Sequence, residues 1–279
     1  MKVLITGIAG QLGNRLSQIL YERNISHKGI CRNIKYKPLP GVECVCVSLS
    51  DITHTTLKAF MIDVTHVVHF ADVITDSTDY ENDLMKQFQN CCINTIKLIN
   101  CLPKTIEHFI FGSSVAVYGS PKQLPITEST TPCPQNIYGY TKLATEIYIK
   151  SNKFKFPIAI LRIGSIYGPG PKNINQYRAV PNIINTVLQG KSPYVVADGS
   201  TFRDYMYIDD CLNACVNTMI INISEKDLTL EHDYDKQVEW SAVCNVSKME
   251  NKLNYSPIFS TRTGLYLTYK WHQKFVNLK

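Results

Sequence analysis

The pattern of apolar and polar positions changes period repeatedly through the first 165 residues. Short runs rich in Val and Ile alternate with longer stretches that have the apolar spacing of amphipathic helices. The predicted strands are Lys2–Thr6, His27–Cys31, Glu43–Val47, His66–Phe70, His108–Gly112 and Pro157–Ile163. The predicted helices are Gln11–Arg23, Thr53–Ile62, Tyr80–Leu102 and Asn136–Ser151. This alternation predicts an α/β fold, a doubly wound parallel sheet of Rossmann type that binds its ligand at the carboxyl ends of the strands.

The pattern loosens after Gly164. A turn cluster at residues 167–171 precedes a further predicted strand, Pro193–Ala197, and three predicted helices, Val180–Gln189, Asp209–Ile221 and Thr263–Phe275. We predict a dinucleotide-binding domain over residues 1–164 and a smaller, interleaved substrate-binding lobe over residues 165–279. Asp209 and Asp210 are expected to cap the helix that they begin, since an acid there accepts hydrogen bonds from free N–H groups.

Composition limits the classes of function. The chain has 279 residues, of which 44% are hydrophobic and 19% charged, as in an ordinary globular protein. The net charge of +6 is scattered, which argues against nucleic-acid binding, and no apolar run approaches the ~20 residues of a membrane span. Ten cysteines are present, but Cys44-x-Cys46 and Cys91-Cys92 lack matching partner pairs. We therefore predict no metal and no disulfide, in a reduced, cytoplasmic protein.

Three glycines lie directly between the first predicted strand and the first predicted helix. Gly7, Gly10 and Gly13 have the spacing G-x-x-G-x-x-G, with Gln11 and Leu12 before the last glycine. Glycines in this place let the backbone approach a pyrophosphate, and the helix N-terminus supplies N–H donors and partial positive charge. The position between strand and helix is the context that a dinucleotide-binding turn requires. We expect these five residues to contact the cofactor.

The end of the second predicted strand bears on which dinucleotide binds. An NAD(H) site usually has an acid there for the ribose 2′-hydroxyl, but this chain has Arg32 directly after Cys31. An arginine can hold a 2′-phosphate with charge-assisted hydrogen bonds. The sequence therefore favours NADP(H), with NAD(H) as the alternative if Arg32 is only a solvated loop residue.

The candidate chemistry is carried by Tyr138 and Lys142, with Ser113 and Ser114 upstream. Residues four apart on a helix lie on one face. An ammonium near a phenol stabilises the phenolate and lowers the phenol pKa from its usual value near ~10. Tyr138 is therefore predicted to act as an acid/base group near neutral pH, while a serine hydroxyl donates a hydrogen bond to a substrate oxygen.

Together these motifs resemble the extended short-chain dehydrogenase/reductase family, also called the NAD-dependent epimerase/dehydratase family. The resemblance covers nearly the whole chain and includes several collinear stretches beyond the glycine turn. These stretches are Val67–Ala71, Ser113–Gly119, Tyr138–Lys142, Leu161–Gly170 and Asp198–Asp210. The resemblance implies a nucleotide-sugar substrate and a homodimer formed through the helices Tyr80–Leu102 and Asn136–Ser151.

The resemblance also implies a role for each matching residue. Ser114 orients the sugar oxygen, Tyr138 is the acid/base, and Lys142 hydrogen-bonds the nicotinamide ribose. Arg203 contacts the substrate diphosphate, unless it forms a surface salt bridge to Asp204 or Asp209. The resemblance also implies that Ser165 contacts the substrate. It implies further cofactor contacts for Ser48, Leu49, Phe70 and Ala71.

The chain departs from the family pattern at several positions. Val115 and Ala116 stand where the family's 4,6-dehydratases carry two acids, so dehydratase activity is not expected. Ser48 replaces an aspartate near the adenine, and Asp72 replaces an alanine beside the cofactor. The stretch Ile221–Trp240 is shorter than is typical by a strand–helix unit. We therefore expect a reduced substrate lobe.

Two reactions of the family use the same three residues. A 4-epimerase removes hydride from C4 of the sugar and returns it to the other face, whereas a 4-ketoreductase reduces a preformed 4-keto sugar. Because Arg32 favours NADPH, which cells hold for reductions, we predict an NADPH-dependent 4-ketoreductase of a nucleotide-activated deoxysugar. The alternative is an NAD-dependent nucleotide-sugar 4-epimerase of the UDP-hexose type. A third hypothesis, of another class, is a non-catalytic dinucleotide-binding scaffold.

Overall fold

The computed structural model describes residues 1–72, 80–121, 123–170, 179–193, 204–221, 228–230 and 244–276. The described strands are β1 (Lys2–Thr6), β2 (Ser26–Cys31), β3 (Glu43–Cys46), β4 (His66–His69), β5 (His108–Ser114), β6 (Ile158–Ile163), β7 (Ser165–Tyr167), β8 (Tyr205–Tyr207) and β9 (Leu228–Leu230). The described α-helices are α1 (Gln11–Glu22), α2 (His54–Phe60), α3 (Tyr80–Phe88), α4 (Asn94–Cys101), α5 (Ile137–Ser151), α6 (Ala179–Leu188), α7 (Ile208–Ile221), α8 (Ser247–Leu253) and α9 (Thr261–Val276).

Seven of the described strands form one parallel sheet in the order β3-β2-β1-β4-β5-β6-β9. The chain winds outward from β1 to β3 and then returns to place β4 against the other side of β1. The winding direction therefore reverses between β1 and β4, and ligands of such sheets bind beside this reversal, at the carboxyl ends of the strands. The predicted doubly wound parallel sheet is confirmed. β7 and β8 form a separate two-stranded sheet.

Apolar side chains cover both faces of the large sheet. Val3 and Ile5 of β1 belong to a buried cluster that includes residues of α1 and α7. Leu4 points the other way, into a second cluster with residues of α2, α4 and α5. Successive side chains of a strand alternate between faces. A strand buried on both faces therefore has consecutive apolar residues, and the run Val3–Ile5 is why β1 was predicted with its observed bounds.

The structure differs from the predicted elements in the region predicted as one helix, Tyr80–Leu102. It is interrupted by a π-helical turn, Gln89–Ile93, between α3 and α4. Most of the predicted strand Pro193–Ala197 and most of Ile221–Trp240 lie outside the described residues. The predicted division at residue 164 stays a prediction, although β9 pairs with β6 and α7 packs against α1. Among the described residues, no helix is both long and apolar enough to span a membrane.

Asp209 and Asp210 lie in the first turn of α7, but their side chains bind other parts of the chain. Both carboxylate oxygens of Asp209 accept from Arg15, at 2.7 and 2.8 Å. The buried carboxylate of Asp210 accepts from the backbone N–H groups of Ile258 and Phe259, at 2.8 and 3.1 Å. The prediction that these two acids serve as helix caps is therefore wrong. They hold α1 and the segment before α9 against α7.

Candidate active site

Two connected cavities lie at the carboxyl ends of the strands. The first has a volume of about 800 Å³, and the second, of about 250 Å³, lies nearer the ends of β2 and β3. The predicted site residues on the first cavity are Gly7, Gly10, Gln11, Leu12, Gly13, Phe70, Ser114, Tyr138, Lys142 and Ser165. Those on the second are Arg32, Ser48, Leu49 and Ala71, with Gly7, Gly10 and Phe70 shared by both cavities. Arg203 lies outside the described residues.

The glycine turn after β1 is too tight for larger residues. Gly7 has a φ of +74°, and a Cβ there would lie 2.8 Å from the backbone nitrogen of Ala71. A Cβ at Gly13 would lie 2.3 Å from the carbonyl oxygen of Gly7, so α1 packs directly on the turn. Gly10 precedes α1 and has no side chain to cap it, which leaves the first helical turn to a ligand. This cradle fits the pyrophosphate of a dinucleotide.

Helix α5 and strand β5 bring the three candidate catalytic residues together. The side chain of Asn136 caps α5 by accepting from the backbone N–H of Gly139 at 2.8 Å. Lys142 donates from Nζ to the carbonyl oxygen of Gly112 at 2.6 Å, and its Nζ lies 5.6 Å from the centre of the Tyr138 ring. Ser114, at the end of β5, hydrogen-bonds the side chain of Tyr138. The three side chains therefore converge on the first cavity.

A buried ion pair fixes α5 to the strands behind the site. Arg162 of β6 and Glu146 of α5 are 1% and 0% exposed, and their closest N–O distance is 2.6 Å. The other guanidinium nitrogen of Arg162 donates to the Tyr118 hydroxyl at 2.8 Å. The hydroxyl of Ser113 donates to the Glu146 carboxylate. This network therefore sets where Ser114, the next residue of β5, meets α5.

Asp72 makes a contact that the motifs did not predict. One of its carboxylate oxygens lies 2.7 Å from Lys142 Nζ, and the other accepts from the thiol of Cys91. Cys91 lies in the π-helical turn that interrupts the predicted long helix. The sequence shows that an acid replaces the family's alanine here, but its pairing with Lys142 depends on the pairing of β4 with β5, against which α5 packs.

The electrostatics of the site differ from the prediction. Burial raises the pKa of Tyr138 above its usual value, and this outweighs the opposing effect of Lys142, while Asp72 and Cys91 raise the pKa further. Burial also disfavours the charge of Lys142, but Asp72, Tyr138 and Cys91 together outweigh this effect and the pKa of Lys142 is raised. The prediction that Lys142 brings the pKa of Tyr138 below its usual value is therefore wrong for this structure, because burial outweighs the ammonium charge and Asp72 partly compensates that charge.

A buried histidine beneath the site was missed. His69 Nδ1 lies 2.6 Å from the Thr6 hydroxyl, and its Nε2 lies 2.7 Å from the Thr95 hydroxyl. Burial, aided by the charge of Lys142, lowers the pKa of His69 to about 3, so its ring is neutral. The only signal in the sequence was a histidine at the end of a predicted apolar strand. Through its two hydrogen bonds, His69 of β4 joins β1 and α4 below the cavity.

The chain belongs to the NAD dependent epimerase/dehydratase family, whose model matches residues 3–225. It is 30% identical over 227 residues to a putative UDP-glucose 4-epimerase of Methanocaldococcus jannaschii, covering 79% of this chain and 73% of that one. A UDP-glucuronic acid 4-epimerase from Bacillus cereus, solved with NAD, superimposes with a TM-score of 0.84 at 24% identity, covering 98% and 97% of the two chains. A UDP-glucose 4-epimerase from Thermotoga maritima, solved with UDP-glucose, gives 0.83 at 21% identity, covering 99% and 100%.

These comparisons bear on two predictions from the sequence. The chain is an enzyme of a family that acts on nucleotide sugars with NAD, so the preference for NADP(H) drawn from Arg32 is not supported. They favour the epimerase alternative over the 4-ketoreductase. The predicted homodimer stays a prediction. Of the apolar residues on its expected helices, Ile93 and Ile147 are 49% and 55% exposed.

Proposed function

We propose that this protein is an NAD-dependent nucleotide-sugar 4-epimerase of the UDP-hexose type. The observation that carries the proposal is the convergence of Ser114, Tyr138 and Lys142 on a cavity at the reversal of the sheet. Membership of the NAD-dependent family and the similarity to 4-epimerases of UDP sugars support the choice of cofactor and reaction.

The residues of the chain supply the proton chemistry. NAD, when bound across the two cavities, supplies a reversible hydride acceptor. Tyr138 takes the proton of the sugar 4-hydroxyl and later returns it, while the Ser114 hydroxyl donates a hydrogen bond to the same oxygen. Lys142 lies on the Tyr138 ring face, and its ammonium favours the phenolate that the reaction needs.

The neighbouring residues argue against the related reactions. Val115 and Ala116 form the start of a 3₁₀ turn directly after Ser114, and neither side chain can transfer the protons of an elimination. The ketoreductase hypothesis depended on Arg32, and Arg32 lies exposed at the second cavity. Epimerisation requires no added reductant, which makes the two hypotheses separable by experiment.

The test is to incubate the purified protein with UDP-glucose or UDP-galactose, without added cofactor, and to quantify both hexoses. We expect interconversion to a common ratio, and NAD in the supernatant of the denatured protein. Failure to interconvert either UDP-hexose, together with NADPH-dependent reduction of a nucleotide-linked 4-keto sugar, would establish the reductase instead. Failure of both reactions with bound nucleotide present would favour the scaffold.

Tyr138→Phe gives the sharpest variant. It should lose at least the roughly 10²-fold that a positioned acid/base contributes, with NAD binding unchanged. Tyr140→Phe is the matched control, because Tyr140 lies two residues further along α5 and its side chain is 52% exposed. Activity that survives Tyr138→Phe would remove this residue from the mechanism.

A further inference from the structure

Three thiols meet at the edge of the sheet where β2 pairs with β3. Cys31 ends β2, and Cys44 and Cys46 lie two residues apart on β3, so that they share one face of that strand. The parallel register places Cys31 opposite Cys46. The Cys31 sulfur lies 3.8 Å from the Cys44 sulfur and 3.5 Å from the Cys46 sulfur. All three sulfur atoms lie within 4.8 Å of one another.

These separations match those of thiolates around one metal ion. A tetrahedral ion with bonds of about 2.3 Å to sulfur holds its sulfur ligands about 3.8 Å apart. We propose that Cys31, Cys44 and Cys46 form a three-thiolate site for a thiophilic d¹⁰ metal ion, with Zn²⁺ as the probe. Soft thiolate ligands select this class of ion over Mg²⁺ and Ca²⁺.

An oxygen donor adjoins the three sulfurs. The backbone carbonyl oxygen of Asn33 lies 3.6 Å from the Cys31 sulfur and 3.7 Å from the Cys46 sulfur. This oxygen or a water molecule can complete four ligands around the ion. The three cysteines need no rearrangement of the backbone to bind the ion, because all of them already lie together on the paired strands β2 and β3.

The cluster is reachable from solvent. Cys46 is exposed, Cys44 is half-buried and Cys31 is buried, so an ion enters from the Cys46 side. Burial raises the pKa of Cys31 and of Cys44, and the adjacent thiols add to the effect at Cys44, because neighbouring thiolates repel. A bound cation removes that repulsion and stabilises the thiolates, so that metal uptake releases protons.

The sequence prediction of no metal site considered only spacing along the chain. Cys44-x-Cys46 has no second pair in the sequence, but the pairing of β2 with β3 supplies Cys31 as the third ligand. The cluster also adjoins the second cavity, which Cys31 lines. It lies apart from Tyr138 and Lys142, which line the first cavity, so the proposal is independent of the reaction catalysed.

The test measures metal binding by reduced, tag-free protein. Equilibrium dialysis against Zn²⁺ should give one ion per chain, and Co²⁺ should give the near-ultraviolet absorption of sulfur-to-cobalt charge transfer. Cys46→Ser and Cys44→Ser should lose both signals. Cys133→Ser, at an exposed cysteine outside the cluster, should keep them.

Circular dichroism and thermal unfolding establish that each variant folds. Cys46→Ser is the decisive one because its side chain is exposed and its loss leaves the core intact. Zinc should also protect Cys44 and Cys46, but not Cys133, from alkylation by iodoacetamide. Wild-type protein that binds no zinc, or Cys46→Ser and Cys44→Ser proteins that bind it as wild type does, would overturn the proposal.

Discussion

Replacing Asp72 by asparagine removes a negative charge beside Lys142 and keeps the shape of the side chain. The Asp72 carboxylate lies 2.7 Å from Lys142 Nζ, so the two charges largely cancel for any group near them. The Lys142 ammonium lies 5.6 Å from the centre of the Tyr138 ring. At an effective dielectric constant of about 20, an uncompensated unit charge at that distance contributes about 3 kcal/mol, or about two pKa units.

The sign of the change follows from the charges. Burial raises the pKa of Tyr138, Lys142 opposes this, and Asp72 adds to the rise. In the Asp72→Asn protein, Lys142 acts alone on the phenolate and the pKa of Tyr138 falls. The limb of the pH profile along which the rate rises as Tyr138 loses its proton should therefore move to lower pH, by about one to two units.

The assay is kcat/KM for UDP-hexose interconversion, measured across pH for wild type, Asp72→Asn and Glu107→Gln. Glu107 is exposed and precedes β5, at the opposite end of the sheet from the site, so its variant should give the wild-type profile. A merely structural role of Asp72 would lower the rate at every pH without moving the limb. A limb that stays in place, or moves to higher pH, in an active Asp72→Asn protein would refute the electrostatic reasoning.

Three further predictions concern stability. Arg162→Met leaves the buried Glu146 carboxylate with only the more distant Lys150, at 3.6 Å, as a charged partner, and the free energy of unfolding in urea should fall by about 3–5 kcal/mol. Lys2→Met, at the partly exposed Lys2–Asp63 pair, is the control and should change the free energy of unfolding by no more than about 1 kcal/mol. Equal losses in the Arg162→Met and Lys2→Met proteins would contradict the importance of the buried pair. Asn136→Ala removes the cap of α5 and should cost about 1 kcal/mol in the same titration, whereas no change would show that the cap is replaceable. Because the pKa of His69 is lowered to about 3, the stability it contributes is complete above about pH 6.5 and declines as the pH falls towards 3. His69→Gln should flatten that decline in urea unfolding measured across this pH range, and an unchanged slope would exclude His69 as its cause.

The strands were predictable where both faces of the sheet are covered. β4 and β6 are buried along their whole length and β1 is buried after Lys2, and apolar residues at the centre of each strand mark it in the sequence. β7 and β8 have three residues each and adjoin turn residues, so they carry too little pattern to be recognised. The π-helical turn at Gln89–Ile93 could not be recognised in the sequence either, because the segments before and after it both have helical periodicity.

The candidate site was predictable as far as local spacing determines it. Tyr138 and Lys142 face the same cavity because they are four positions apart on one helix. The partners of Lys142 and Cys31 were not predictable in this way. Asp72 reaches Lys142 only because β4 pairs with β5, on which α5 packs, and Cys31 meets Cys46 only through the register of β2 with β3.

Tyr138, Lys142 and Glu146 follow one another at four-residue intervals and therefore occupy one face of α5. Lys142 pairs with Asp72 and Glu146 pairs with Arg162, so this face carries two compensated ion pairs and one phenol. A buried pair contributes little net stability, but losing one partner is costly. The two pairs therefore act chiefly on position: they hold α5 in one register against the segment after β4 and against β6, and that register determines where the Tyr138 hydroxyl meets Ser114.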